Sequence, residues 1–378
     1  MFFFYFPYFF YVKAGIYLPV LLTFTLLTLP GNVKFFKSFL AFKLFLLILL
    51  WLLFAIFNYP FSSAKMYGLE KLFIFFPWCF IFFLSIPNIV LNLNLYLKLY
   101  ILFSIVLCVL LMIEYGNPIS YFFETLNDSS RLGSVVVDEI SLNPIWVSRY
   151  LGASLLVVIF YFFNTHNSKV FSIGMIPIIL VMLIYIFASG SKAVILILSI
   201  IGLIDVFAFQ SIKRKVYYLV LFVIFVFIAF NLDFLNFSFV KNRFLTENDI
   251  SVGQRIDFQS KIINAFDLKT FLIGSGIGSV GYVISNFDAR FYPHNLFLEI
   301  LFEFGFFVFF ILSFLSIKIL VSFRLFLLSS HFTRIVFYLF LFFFLNTFFS
   351  GDLASNIDFF LFLFISFMVK DYQRSNFD

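Results

Sequence analysis

Charged residues are scarce in this sequence. Asp, Glu, Lys and Arg make up only 12% of its 378 residues, about half of their share in a typical soluble domain. Hydrophobic residues make up 63% of the chain, and the mean hydropathy is +1.09. Such a chain cannot cover a core with polar surface, so the composition excludes a water-soluble domain and predicts a polytopic membrane protein.

Cysteine and histidine are rare as well. The two cysteines, Cys79 and Cys108, lie in apolar runs, where a thiol is more often a small buried hydrophobe than part of a disulfide or metal site. The three histidines are scattered along the chain and do not form the constellation of a metal site. No Asp-x-Asp pair or His/Asp cluster suggests a divalent cation, so we expect no metal and no other cofactor.

Apolar runs occupy most of the chain. Because a helix needs about 20 apolar residues to cross a hydrocarbon core, we predict an all-α polytopic membrane protein with about 11 to 12 transmembrane helices. The start, MFFFYFPYFFYVK, lacks the features of a cleaved secretory signal and is expected to remain. Lys13 and Pro7 interrupt the first run, which leaves a re-entrant or interfacial piece open there. The predicted spans are 8–30, 37–58, 71–91, 95–114, 145–163, 171–188, 193–210, 216–233, 295–317, 334–350 and 356–370.

Basic residues divide the connections between spans into two sets. Lys and Arg of short loops are retained on the cytoplasmic side, so the set that carries most of them is predicted to be cytoplasmic, together with the C-terminus. Its basic residues are Lys34, Lys37, Lys98, Lys169, Lys213, Arg214, Lys215, Lys318, Arg324, Arg334, Lys370 and Arg374. The opposite set is then predicted to face outward, with the N-terminus, and comprises 59–70, 115–144, 188–192, 234–293 and 350–355.

The longest polar interruption is residues 234–293, which separate predicted membrane segments at 1–233 and 294–378. We predict that this large outer loop contains short amphipathic helices, because GQRIDFQSKIINAF has helically spaced apolar residues, with Arg255 near its start. The following GSGIGSVG matches G-x-G-x-x-G. No βαβ unit surrounds it, so we predict a turn rather than a dinucleotide site. Glycine amides that approach a phosphate remain an alternative.

Pro293 and His294 stand at the outer mouth of the next span. Asn295, Glu299 and Glu303 follow at spacings of four, which places them on one helical face. Carboxylates inside an apolar span are costly to bury, so this face is predicted to line a polar cavity rather than lipid. Two roles stay open for His294: a functional imidazole, or an interfacial histidine bonded to a carbonyl.

The predicted outer loops carry more positive charge than orientation requires. One interpretation is a solvated surface whose Lys and Arg balance nearby Asp and Glu. The other is an anion site, because guanidinium groups bind phosphate bidentately. Arg149 and Lys192 favour the anion site, since both lie at predicted span ends, although snorkelling also explains long basic side chains there.

Five motifs in order resemble the O-antigen ligase and O-antigen polymerase superfamily, integral-membrane glycosyltransferases that use undecaprenyl-diphosphate-linked sugars. The motifs are NPIWVSRYLG at 143–152, SGSKAVILIL at 189–198, GQRIDFQSKIINAF before GSGIGS, PHNLFLEILFEFG at 293–305, and SGDLASN at 350–356. The resemblance covers somewhat more than half of the chain. It implies a helical bundle with a large periplasmic loop between two late spans, which agrees with the hydropathy.

By this resemblance, Arg255 corresponds to the family's arginine of the large loop. His294 corresponds to the family's histidine, which precedes an asparagine and, later, a glycine, here Asn295 and Gly305. Asp352 lies in the segment that matches the family's late outer loop. These matches imply where the family's site residues fall in this chain.

Two positions depart from the family pattern. Lys192 stands where the family usually has arginine, which replaces a bidentate contact with a single point charge. Ligases also have a second glycine shortly after Gly305, and this chain has Phe306, Phe307 and Val308 instead. The second departure argues against a ligase.

The resemblance implies glycosyl transfer from a lipid diphosphate. A sugar hydroxyl attacks the anomeric carbon of a glycan on undecaprenyl diphosphate, and the diphosphate leaves. The expected catalytic residues are His294 as the base, Arg255 as a diphosphate stabiliser, and Glu299, which holds the imidazole or lines the acceptor channel. Other polar groups at the outer face are expected to bind the diphosphate and the substrate: Arg149, Lys192, Arg290, Asn295 and Asp352.

The favoured function is an O-antigen polymerase that joins lipid-linked repeat units at the periplasmic face of the bacterial inner membrane. Its expected partners are undecaprenyl-diphosphate-linked oligosaccharides as donor and acceptor, membrane lipids, a chain-length regulator and a flippase, with no nucleic acid. A ligase that transfers the glycan to lipid A-core is the alternative, and an O-linked protein glycosyltransferase is a third. A transporter or flippase is disfavoured, because the sequence shows no internal repeat and its functional charges gather at one face.

Overall fold

The computed structural model describes residues 39–117, 144–164, 175–189, 191–209, 250–328 and 330–374. Every regular element in these ranges is helical. The helices are α1 (Phe39–Asn58), α2 (Lys65–Leu91), α3 (Leu93–Tyr115), α4 (Pro144–Asn164), α5 (Ile176–Ala188), α6 (Lys192–Phe209), α7 (Ile250–Asn264), α8 (Leu268–Ile273), α9 (Ser279–Ser285), α10 (Leu296–Val321), α11 (Phe323–Leu328), α12 (His331–Asn346) and α13 (Ile357–Arg374). Short 3-10 turns occupy Tyr59–Phe61 and Ala354–Asn356.

The helices identify a multi-pass membrane protein. Among the described residues, four are long and apolar enough to cross a membrane: Lys43–Phe61, Lys65–Leu91, Leu93–Ile113 and Leu296–Val321. Ile145–Tyr161, Ile176–Ala188 and His331–Asn346 are shorter apolar helices. The predicted spans at 8–30 and 216–233 lie outside the described residues, so the total of about eleven remains a prediction.

The chain divides into two compact units. One comprises residues 1–98 and 250–378, and the other comprises residues 99–249. In the second unit, α4 packs against α5, and α6 contacts both helices. A hydrogen bond of 2.6 Å between the hydroxyls of Ser104 and Ser154 joins α3 to α4 there.

Helix α13 forms the centre of the first unit. Every residue from 357 to 370 is buried, and the helix packs against α2 and α12 while also contacting α1 and α10. Aromatic rings fill the space between these helices. The indole of Trp51 lies 5.1–5.7 Å from the rings of Phe75, Phe76, Phe304 and Phe360, a separation typical of favourable aromatic pairs.

A kink at Gly305 divides α10. Its backbone has φ 76° and ψ −176°, which lies outside the helical region. This positive-φ conformation is readily accessible only to glycine. The kink exposes carbonyls of the preceding turn, and the loop after α8 binds two of them. The amide of Ser275 donates to Phe302 at 2.9 Å and that of Gly276 to Glu303 at 3.2 Å. A Cβ at Gly305 would lie 2.5 Å from the carbonyl oxygen of Leu272.

The described part of the large loop contains α7, α8 and α9, which confirms the prediction of short helices. The apolar side chains of α7 are divided between two environments. Ile262 is fully buried in a cluster with Val280, Ile284 and Phe302, whereas Ile256 and Ile263 are more than half exposed. Helix α7 therefore packs on α9 and the start of α10, and only part of its predicted apolar face points outward.

The glycines between α8 and α9 form a tightly packed turn. Gly276 and Gly278 have φ values of 98° and 89°. A Cβ on either would come within about 2.5 Å of the backbone near the start of α2, at Ser62 and Gly68 respectively. The turn interpretation thus fits this segment, because its glycines allow close contact with protein backbone.

Candidate functional site

Three connections that the sequence places on one side of the membrane meet at one end of the first unit. The amides of Met66 and Tyr67 donate to the carboxylate of Asp288 at 2.7 and 3.0 Å. Arg290 donates to Asp352. These contacts join 59–70, the large loop and 350–355, as expected for loops on the same side of a membrane.

Basic residues gather at the opposite end of this unit. Lys370 near the end of α13 donates to the hydroxyl of Ser322, which follows α10. Lys318 lies over the ring of Phe367, with 5.7 Å between the ammonium nitrogen and the ring centroid. The predicted grouping of these two connections is therefore consistent with the packing of the unit.

His294 lies at the mouth of α10, and α7 brings Arg255 towards it. The side chain of Gln259 donates to the carbonyl of Pro293 at 3.1 Å. Arg255 is one turn before Gln259, on the same face of α7. The structure thus brings together two residues that the sequence separates by 39 positions and that we predict to share a site.

The imidazole of His294 is uncharged near neutral pH. Its pKa falls from 6.5 to about 4, first because burial disfavours the charged form and second because the positive charge of Arg255 opposes protonation. The negative charge of Asp352 acts in the other direction. The buried Nδ1 has no hydrogen-bond partner among the described residues. An uncharged imidazole has one nitrogen that can accept a proton.

The backbone at His294 has a positive φ of 57°, a conformation that is uncommon outside glycine. The chain then enters α10 through Asn295, whose side-chain oxygen accepts a hydrogen bond from the amide of Leu298 at 3.1 Å. The amide of Leu296 donates to the carbonyl of Thr347 at 2.9 Å. Asn295, a predicted substrate-binding residue, thus has a helix-capping role in the structure.

The carboxylates on α10 surround a lysine. Lys71, in the second turn of α2, is fully buried, and its ammonium lies 2.5 Å from Glu299 and 2.6 Å from Glu303. We predicted that the face of α10 with these carboxylates lines a polar cavity rather than lipid. In the structure, the carboxylates are buried away from lipid, and the side chain of Lys71 lies against them. Oε1 of Glu299 also accepts a hydrogen bond from the amide of Leu353 at 3.2 Å. The described partners of Glu299 are these groups rather than the imidazole of His294.

Asp352 lies beside this cluster and is fully buried. It accepts hydrogen bonds from the hydroxyl of Tyr67 at 2.8 Å and from the backbone amide of Ser355 at 2.9 Å. Burial alone would raise its pKa, but the charges of Arg290 and Lys71 and the hydrogen bonds from the hydroxyls of Ser355 and Tyr67 lower it to about 2. Asp352 is therefore ionised and bound by protein groups.

Arg290 makes two ion pairs. Its Nε lies 3.2 Å from Asp352, and its Nη1 lies 3.1 Å from Glu70. The charge of Asp352 is the main reason why the pKa of Arg290 is raised above its usual value. Because 42% of the side chain is exposed, Arg290 can still present one edge outward, but its first role in the structure is to hold Asp352.

Arg149 and Lys192 lie in the second unit. Arg149 is buried in α4, with its guanidinium carbon 5.2 Å from the ring of Trp146. Lys192 begins α6 and is partly buried. Their predicted role in binding a diphosphate together with Arg255 remains a prediction.

Lys71 and Tyr67 are polar residues of this region that the sequence interpretation did not single out. The predicted span began at residue 71, which made Lys71 resemble an ordinary charge at a membrane boundary. Helix α2 begins at Lys65 instead, so Lys71 is a charged group inside an apolar helix. Such a group is a functional candidate by default, and this signal was present in the sequence.

Comparison with models of known protein families matches residues 177–313 to the family described as O-antigen ligase. The matched stretch runs from α5 into the second half of α10. It contains Lys192, Arg255, Arg290 and His294, whereas Lys71 and Asp352 lie outside it. Neither the curated proteins nor the solved structures give a match.

Proposed function

Because residues 177–313 are an O-antigen ligase family domain, we propose that the chain is a surface-polysaccharide polymerase. It transfers a glycan from undecaprenyl diphosphate to a sugar hydroxyl of another lipid-linked repeat unit. The family supplies the class of reaction and the lipid-linked donor. The polymerase activity is the more specific part of the proposal.

The reaction exchanges one bond at the anomeric carbon for another. The acceptor oxygen forms a bond to this carbon, the bond between the carbon and the diphosphate oxygen breaks, and the electron pair leaves with undecaprenyl diphosphate. The proton of the acceptor hydroxyl passes to a base. Catalysis therefore needs a proton acceptor near the hydroxyl and positive charge near the leaving diphosphate.

One observation carries the assignment of residues: α7 holds Arg255 near an uncharged His294. An imidazole without a bound proton can accept one from the attacking hydroxyl, a contribution of about 10²–10⁴-fold in rate when the base is well placed. The guanidinium of Arg255 suits the diphosphate, because its planar donors bind phosphate oxygens in pairs. The two side chains thus provide both kinds of help that the reaction needs.

We place this site on the periplasmic side of the bacterial inner membrane. Three loops from the predicted outer set meet around it, and Lys318 and Lys370 lie at the other end of the unit. Short loops that carry lysines are retained on the cytoplasmic side of the membrane. Arg149, Lys192 and Arg290 remain candidates for further contacts with the diphosphate. A chain-length regulator and a flippase that supplies the donor are proposed partners.

A ligase is the second candidate, because the description of the matched family names that activity. It would use the same donor but transfer the finished glycan to lipid A-core. Phe306, Phe307 and Val308 stand where a ligase has its second glycine, and for this reason we place the polymerase first. The acceptor distinguishes the two functions.

Deletion of the gene in its native host tests both candidates on a lipopolysaccharide gel. Loss of the ladder with a single repeat unit retained on core supports the polymerase. Core alone, with lipid-linked polymer accumulating, supports the ligase. An unchanged ladder would contradict both. Purified protein in detergent should lengthen a lipid-linked repeat unit, whereas a flippase would form no new glycosidic bond.

A further inference from the structure

A lysine buried in an apolar helix needs an explanation. The removal of a charged group from water costs several kcal/mol, and a well-placed partner of opposite charge is needed to offset this cost. Lys71 has no exposed surface, and its ammonium is paired with two carboxylates that are buried as completely. Both carboxylates lie on α10, in the part of the helix that precedes the kink at Gly305. The cluster therefore joins α2 to the part of α10 that begins just after His294.

The same cluster reaches the loop at 350–355. Glu299 accepts the amide of Leu353, the residue after Asp352, at 3.2 Å. Tyr67 lies one turn before Lys71 on α2, and the ammonium of Lys71 lies 4.3 Å from the centre of its ring. The hydroxyl of Tyr67 donates to Asp352. Two residues one turn apart on α2 thus contact both α10 and the loop.

These contacts extend to the proposed site. Asp352 binds Arg290, which lies four residues before His294 in the chain. Glu299 lies five residues after His294, in the first turn of α10. The backbone on both sides of His294 is therefore anchored by groups that contact Lys71 directly or through Tyr67 and Asp352.

We propose that Lys71 is a positioning residue for glycosyl transfer. It fixes the start of α10 and the 350–355 loop, so that His294 keeps its place beside Arg255. This inference rests on the proposed function, because it assigns a role in that reaction. Lys71 does not contact the reacting atoms. It acts through Glu299, Glu303 and Asp352, and a displacement of about 1 Å at reacting groups can cost 10²-fold in rate.

The test measures chain extension by purified full-length protein with a lipid-linked repeat unit. K71M keeps an unbranched side chain that is one atom shorter and removes its charge. We expect folded K71M, isolated by size exclusion, to lose at least about 10-fold in kcat with KM for the donor within about 2-fold, because misplacement affects the transition state more than binding. K318M is the matched control at the other end of the unit, and its kcat should stay unchanged.

A second variant separates positioning from stability. K71M leaves two buried carboxylates without a cation, and K71M/E303Q removes one of these charges. We expect K71M/E303Q to accumulate better than K71M while its kcat remains low. Recovery of kcat together with yield would overturn the proposal, because the cluster would then serve only the fold.

The remaining outcomes are also decisive. Wild-type kcat in folded K71M would overturn the positioning role. Failure of both variants to accumulate would overturn it too, since the cluster would then be needed for folding itself. If the wild-type protein forms no glycosidic bond with any lipid-linked acceptor, the proposed function fails, and this result is separate from the comparison of variants.

Discussion

Two polar regions of the same unit differ in the partners of their buried polar groups. Around Lys71, charged groups lie 2.5–2.6 Å apart and are closed off from solvent. Around His294, Nδ1 is buried without a hydrogen-bond partner among the described residues. An unsatisfied buried polar atom costs about 1–3 kcal/mol. The second carboxylate oxygens of Glu299 and Glu303 also have no hydrogen-bond partner among the described residues, so the two regions differ in the ion pairs that Lys71 makes. The paired region around Lys71 is suited to hold backbone in place, and Nδ1 of His294 is suited to bind a substrate group.

The largest expected effect comes from His294. H294A removes the proposed base, and we expect kcat for chain extension to fall by about 10²–10⁴-fold, as is typical for loss of a positioned base. Protein abundance should remain close to wild type, because no described hydrogen bond is lost. A complementing variant with normal glycan chain length would remove His294 from the mechanism.

Arg255 should rank second. R255K keeps the positive charge but loses the planar pair of donors, so we expect a loss of about 10²–10³-fold in kcat, comparable to removal of one electrostatic donor. Lys261 lies on the same helix and pairs with Asp257 on an exposed surface, so K261A is the matched control. Equal activity of R255K and the control would show that the charges of α7 are merely solvated.

The pH profile tests the environment of His294. Burial and then Arg255 lower its pKa from 6.5 to about 4. The imidazole therefore stays uncharged above about pH 4, and the acid limb of kcat/KM should lie near that value instead of near 6.5. R255M removes the repelling charge and should move this limb to higher pH. A wild-type limb near pH 6.5 that R255M does not move would show that another group titrates.

The lowered pKa of His294 also predicts how the stability of the fold depends on pH. Unfolded protein binds a proton at His294 below about pH 6.5, whereas the folded protein resists it down to about pH 4. Stability from this residue is thus complete above pH 6.5 and is lost as the pH falls towards 4. The midpoint of thermal unfolding should depend less on pH in this window for H294A than for wild type.

Effects in the paired region should appear first in stability. D352N leaves Arg290 and Tyr67 without a charged acceptor, and we expect a loss of about 1–3 kcal/mol, seen as a lower midpoint of thermal unfolding in detergent. Because the pKa of Asp352 is about 2, the comparison applies at any pH above 4. D257N changes an exposed carboxylate that is paired with Lys261 and should leave the midpoint unchanged. A stable D352N would show that the buried contacts are redundant.

The sequence predicts the described helices well because their signal is local. Apolar runs locate α1 to α6, and the resemblance of the ordered motifs predicts a shared site for Arg255 and His294. Helix boundaries have a weaker local signal, and the predicted start at residue 71 was wrong for α2, which begins at Lys65. That shift of less than two turns changes Lys71 from a boundary charge into a buried one.

The paired region was not predictable from local patterns. Lys71 and Glu303 are separated by 232 residues, and nothing in either segment specifies its partner. The spacing of Glu299 and Glu303 predicted a shared face and the cost of burying it, but not the lysine that offsets this cost. Asn295 and Arg290 were interpreted by charge and position alone, whereas their cap and ion pairs depend on the packing of neighbouring segments.

The smallest expected effect is at Glu70, where the paired region reaches the surface. Glu70 and Arg290 form an ion pair at 3.1 Å, with 41% and 42% of their side chains exposed. An exposed pair contributes about 0.2–1 kcal/mol, so E70Q should lower the unfolding midpoint far less than D352N and leave kcat unchanged. Salt should reduce even this difference, because it screens exposed charges. An effect of E70Q as large as that of D352N would mean that Arg290 depends on both partners. The paired region would then extend outward from Asp352 to include Glu70.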